Sequence, residues 1–157
     1  MTDHVRSAGG PSQGWIVVGI DGSEPSQAAL RWAAKEAHRR GVGLQVVTCW
    51  SYPTLPWGPY QPPLSGQDFE AEARQVAEAE VEKVLGPDRG SLDVQIGVLE
   101  GAASLRLLEY DQATDMIVVG SRGRGGFAGL LLGSVSQHLA EHARCPVVVI
   151  HGPREDE

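Results

Sequence analysis

A chain of 157 residues and 16.7 kDa is of single-domain size and long enough to bury one sizeable core without a metal or disulfide to hold it. With 41% apolar and 21% charged residues it is too apolar for an unfolded chain and lacks the glycine period of a fibrous one. The balance of 13 Lys plus Arg against 20 Asp plus Glu, a net charge of −7, repels a phosphate backbone over most of the surface and argues against general nucleic-acid binding.

Residues 1–13 are small and polar and residues 152–157 (GPREDE) are acidic, so both read as tails around a folded body at 14–151. No apolar signal-like stretch occurs near the start, and the apolar runs at 116–119 and 146–150 fall far short of the roughly 20 residues that span a bilayer. A cytoplasmic protein with no membrane partner is expected.

The body opens with WIVVGI at 15–20, a continuous β-branched run of the kind found in strands covered on both faces. Ser23 is placed to cap a helix with Pro25 in its first turn, and Ala29, Leu30, Ala33, Ala34 and Ala37 make one helical stripe that Gly41 ends. The alternation repeats: strand 44–50, helix about 67–85, strand 92–99, short helix about 103–112, strand 116–120, helix about 134–143 and strand 146–150. In the second helix Phe69, Ala73, Val76, Val84 and Leu85 are expected inward, and Glu70, Glu72, Glu78, Glu80 and Glu82 form a charge run expected to face solvent. Five strands alternating with four helices predict an open, doubly wound parallel sheet, Rossmann-like, with helices on both faces.

One insertion breaks the rhythm. Residues 51–66 hold Pro53, Pro56, Pro59 and Pro62 at every third position, with Tyr52, Trp57 and Tyr60 between them. The period suits a polyproline II ligand for a partner's aromatic groove, but the favoured reading is a stiff, aromatic-anchored surface loop beside a functional site.

Chemistry concentrates in GSRGRGGFAGLLLGSVSQHL, residues 120–139. Its glycines allow backbone N–H groups to approach an anion. Gly120, Ser121, Arg122 and Gly123 leave the carboxyl end of a strand, and Gly133 and Ser134 begin a helix whose N-terminal dipole favours negative charge. Arg122 and Arg124 add positive charge, and the Ser121 and Ser134 hydroxyls can donate to phosphate oxygens. A kinase-type P-loop is excluded because no lysine follows Lys83, and the loose dinucleotide match at 123–128 lacks an acidic residue after the next strand. His138, Glu141 and His142 fit a zinc peptidase pattern, but the later carboxylates that could add the required third ligand, Glu155, Asp156 and Glu157, fall in the acidic tail, and the pair reads as a solvated helix face. Cys49 and Cys145 fall at opposite ends of a parallel sheet and are expected as free thiols.

Gly120-x-x-Gly123, nine residues, then Gly133-Ser134 resembles the universal stress protein family in its ATP-binding branch. WIVVGIDGS near the start, VLEGAASLRLL before the fourth strand and ARCPVVVI at the end match in order and spacing, so the resemblance covers about residues 14–151. It implies strand order 3-2-1-4-5 and a nucleotide across the carboxyl ends of strands one and four. On the adenine and ribose side it implies Ile20, Asp21 and Cys49, and around ribose and phosphates Gly120, Ser121, Arg122, Gly123, Gly133, Ser134, Val135 and Ser136. Gly19, Gly22, Ser23 and Arg124 are expected to join them in the nucleotide site. Asp21 can reach the nucleotide through Mg2+ or Mn2+. The resemblance also implies dimerisation along strand five, and Val147, Val148, Val149 and Ile150 form an uncharged edge that invites a two-fold copy.

The function so indicated is that of a dimeric ATP-binding regulatory or stress-response module with an unidentified protein partner. A slow ATPase or nucleotidyl-transfer enzyme, a cyclic-AMP-binding module and a scaffold without nucleotide are the alternatives. No catalytic base stands out in the sequence.

Overall fold

The computed structural model describes residues 14–52, 54–55, 58–59, 66–123 and 131–153. The segment 1–13, most of the proline-rich loop, Arg124 and residues 154–157 lie outside them.

Five parallel strands, β1 (Trp15–Gly19), β2 (Gly43–Trp50), β3 (Val94–Glu100), β4 (Met116–Gly120) and β5 (Val147–Ile150), form one sheet in the order β3-β2-β1-β4-β5. The helices are α1 (Glu24–Arg40), α2 (Gly66–Leu85), α3 (Ala103–Leu108) and α4 (Ser134–His142). The expected class and strand order are therefore present. Because side chains alternate across a strand, Ile16, Val18, Leu44, Val46 and Val118 pack under α1 and α2, whereas Val17, Val47, Leu99, Ile117 and Val119 pack under α3 and α4. Both faces are covered, which is why β1, β4 and β5 read as unbroken apolar runs.

Several details depart from the sequence expectation. Leu92 and Asp93 precede β3, after a short 3-10 turn (Gly86–Arg89). In α2, Val76 is 61% exposed, while Ala77, Val81 and Leu85 are buried and Glu80 with them. The buried stripe runs through Ala77, Val81 and Leu85 at intervals of four, and the packing against β2, β3 and α1 sets its direction. Val76 is turned about 100° around the helix from Ala77, whereas Glu80 is turned only about 60° from it.

A two-residue antiparallel ladder, Thr54–Leu55 with Gly58–Pro59, follows β2. Behind it Trp50 stacks on Phe69 of α2 with centroids 5.9 Å apart, and Tyr52 meets both rings edge-on at 5.3 Å. The loop's start is thus anchored by aromatic contacts; Trp57 and Tyr60 lie outside the described residues.

Candidate functional site

The chain leaves β1 for β2 on one side of the sheet and leaves β4 for β5 on the other, so the carboxyl ends of β1 and β4 part at the point where open parallel sheets bind ligands. Each wall of that crevice is built by a local device.

On the β1 side, Ile20 N donates to Val47 O at 2.9 Å and carries the strand one residue further. Asp21 then closes a turn: its Oδ1 accepts from Ser23 N at 2.9 Å and from Ser23 Oγ at 2.5 Å, while its own N donates to Ser26 Oγ at 3.1 Å. Gly22 supplies the positive φ of 84° that this turn requires. Ser23 caps α1 by accepting from Ser26 N, and Pro25 sits in the first turn.

On the β4 side, a Cβ on Gly120 would lie 2.7–2.8 Å from Pro25 and the Ser26 N, so only glycine lets β4 end against α1. Ser121 N donates to Ile150 O at 2.8 Å, and Ser121 O accepts from Gly133 N at 2.6 Å and from Ser136 Oγ at 2.9 Å. The glycine-rich segment is thereby closed at its neck, with residue 133 brought back onto residue 121. There α4 starts at Ser134, and Gly133 before it has no side chain to cap the helix; the first helical bond is Gln137 N to Gly133 O at 3.0 Å. The N–H groups of Ser134, Val135 and Ser136 have no acceptor within the helix, so the first turn presents positive partial charge.

Between these walls lies a cleft of about 450 Å³, within the range of small-molecule sites. Its lining combines the apolar Ile20, Val47, Cys49, Ala103, Leu107 and Val119 with the polar or small Asp21, Arg122, Gly123, Ser134 and Ser136. Burial pushes the Cys49 thiol up to about 11 against a lowering pull from Arg106, so the thiol is neutral near pH 7 and behaves as a small apolar group. Arg122 is exposed at the rim.

Among the residues singled out from the sequence, Gly19, Ile20, Asp21, Cys49, Gly120, Arg122, Gly123, Gly133, Ser134, Val135 and Ser136 line this cleft. Gly22 and Ser23 stand behind Asp21 and shape its turn. Ser121 is 2% exposed and lies under the floor, where its backbone joins β5 to the start of α4. Arg124 lies outside the described residues. Sequence reading passed over Ser26, Val47, Ala103, Leu107, Val119, Leu132 and Gln137, which also line it. Val47 was findable as the residue two before Cys49 on the same strand face, and Leu107 as the partner of Ala103 at helical spacing. Ser26 and Gln137 carried no signal of their own.

Among the described residues no three His, Cys, Asp or Glu side chains converge to hold a metal. A magnesium ion bound chiefly by phosphates asks for only one or two protein carboxylates, and Asp21, whose Oδ2 faces Gly123, meets that requirement.

Comparison with known proteins bears on this architecture. The model of the universal stress protein family matches residues 15–151. A universal stress protein of Mycolicibacterium smegmatis is 38% identical over 141 residues, covering 87% of this chain and 48% of that protein. Universal stress protein Rv2005c of Mycobacterium tuberculosis is 38% identical over 140 residues, covering 87% and 47%. The chain thus spans about half the length of these curated relatives. Among solved structures, a universal stress protein in complex with cAMP is 26% identical with a TM-score of 0.62, covering 89% of this chain and 98% of that one. A universal stress protein from Archaeoglobus fulgidus is 27% identical with a TM-score of 0.62, covering 87% and 92%.

Proposed function

The chain belongs to the universal stress protein family, and from that premise we propose that its cleft binds an adenine nucleotide, with ATP as the ligand, in a regulatory stress-response module. The observation that carries this reading is the uncapped start of α4, held against the Gly120–Gly123 turn on a cleft that is lined by apolar residues as well. A nucleotide joins the same two characters. The base stacks among Ile20, Val47, Cys49 and Leu107, while the phosphates take N–H donors from Gly123 and the first turn of α4 and charge from Arg122. Arg124 follows in sequence as a second cation for the phosphates. When Mg2+ or Mn2+ accompanies the phosphates, Asp21 is the carboxylate that holds it, and the ion neutralises phosphate charge.

Binding acts here by linkage: a ligand that bridges β1, the glycine-rich segment and α4 stabilises that arrangement by its own affinity, and a partner protein reads the difference. The same edge geometry supports a homodimer through β5. On the opposite edge Arg74 Nη1 donates to Ile96 O at 3.2 Å and so occupies a carbonyl of β3, whereas Val147, Val148, Val149 and Ile150 carry no charge to deter pairing. Free thiols at Cys49 and Cys145 agree with a reducing cytoplasm, and no helix among the described residues is long and apolar enough to cross a membrane.

A second reading has its own support: a relative 26% identical is described in complex with cAMP, and a cyclic nucleotide would use the same apolar lining with a single phosphate near α4. Calorimetric titration with ATP, AMP and cyclic AMP, each with and without Mg2+, separates the two. ATP is expected to bind more tightly than AMP and to gain from Mg2+. Preference for cyclic AMP transfers the assignment to the second reading, and absence of heat with all three removes the nucleotide proposal.

A further inference from the structure

The far end of α4 carries a cluster that the nucleotide cleft leaves unused. His138 and His142 are four residues apart, so they share one face of the helix a turn apart. Their ring centroids are 4.5 Å from one another, tilted by 47°. The His142 side chain is 55% exposed and His138 is half-buried, which leaves a path from solvent to both rings.

The surroundings suit a cation. Glu141 stands three residues after His138 on the same face; its Oε1 accepts from Gln137 Nε2 at 3.2 Å and its Oε2 is 3.8 Å from His142 Nε2. Its carboxylate therefore sets a negative charge beside the two rings. Glu141 and His142 also stand in the last turn of α4 (Ser134–His142), where the carbonyl end of the helix dipole favours positive charge.

We infer that His138 and His142 form a solvent-open, two-imidazole chelate for a divalent transition metal of the zinc class. Imidazole nitrogens at helical i, i+4 spacing can reach one ion at the roughly 2.0–2.1 Å of a Zn–N bond, and they discriminate against Mg2+ and Ca2+, which take oxygen ligands. Because no third protein ligand converges among the described residues, water completes the coordination. The open positions make this a docking point for a metal, or for a group carried on one, rather than a closed structural site. It is independent of the nucleotide proposal, since neither histidine lines the cleft.

The test is a Zn2+ titration of the full chain followed by NMR of the histidine ring nitrogens, with Mg2+ as the comparison ion. The chain has five histidines, whose rings report separately. The His138 and His142 resonances are expected to shift together and saturate at one Zn2+ per chain, with no response to Mg2+. His138→Ala and His142→Ala are each expected to weaken Zn2+ binding by about tenfold or more, because either change leaves a single imidazole without its chelate partner. Both positions are solvent-accessible, and unchanged thermal unfolding of the variants without metal shows that the fold is retained. The inference is overturned when the two rings respond no more than those of His38 and His151, or when neither substitution weakens binding.

Discussion

Glycines that look alike in the sequence do different work. A Cβ at Gly120 would collide with backbone atoms of Pro25 and Ser26 at 2.7–2.8 Å, and backbone does not step aside. A Cβ at Gly123 would instead meet the Asp21 Oδ2 at 2.5 Å, the end of a side chain at the cleft rim. Gly120→Ala is therefore expected to destabilise the fold by about 1–3 kcal/mol through overpacking. Gly123→Ala is expected to leave the unfolding midpoint nearly unchanged while lowering nucleotide affinity about tenfold or more, since it displaces Asp21 and narrows the approach of phosphate to the backbone. Denaturant melts and calorimetry on the two variants check the contrast; equal stability losses would contradict it.

At the scale of the element, α1 and α4 are matched opposites. Helix α1 is closed by Ser23, Pro25 and the Asp21 turn, with Glu24 in its first turn. Helix α4 begins at Gly133 with no capping side chain and no acidic residue in its first turn. By the usual rules of helix stability the second arrangement is inferior, because a capping side chain or a carboxylate there contributes about 0.3–1 kcal/mol. Ser134→Glu should accordingly hold or slightly raise the melting temperature, yet weaken ATP binding about tenfold or more by placing a carboxylate where the phosphates are proposed to sit. Parallel thermal melts and titrations would reveal the opposite signs, and undiminished ATP affinity would remove α4 from the site.

Across the whole molecule the sheet has two edges with different exposure. Ile117 N donates to Pro146 O and Ser121 N to Ile150 O, so residues 146, 148 and 150 turn their backbone groups toward β4 while Val147 and Val149 turn theirs outward. Proline at position 149 removes an outward N–H and leaves the β4 ladder intact. With the proposed dimer as the expected state of the unaltered chain, Val149→Pro is therefore expected to sediment as a folded monomer. A dimer that survives the substitution would move the interface away from β5.

Much of this was legible from short-range pattern. The unbroken apolar strands, the Ser23-Pro25 helix start, the alternation of strand and helix and the Gly120 to Gly133 spacing all report local conformational and burial requirements, which a linear string records directly. Other features depended on contacts between residues far apart in the chain. Val76 turned outward and Glu80 inward because neighbouring elements set the rotation of α2; Val47 and Leu107 joined the cleft, and Ser121 sank beneath it, because β2, α3 and β5 happen to meet there. Periodicity says that a face exists, but only packing determines what the face meets, and a binding cleft is a property of that meeting.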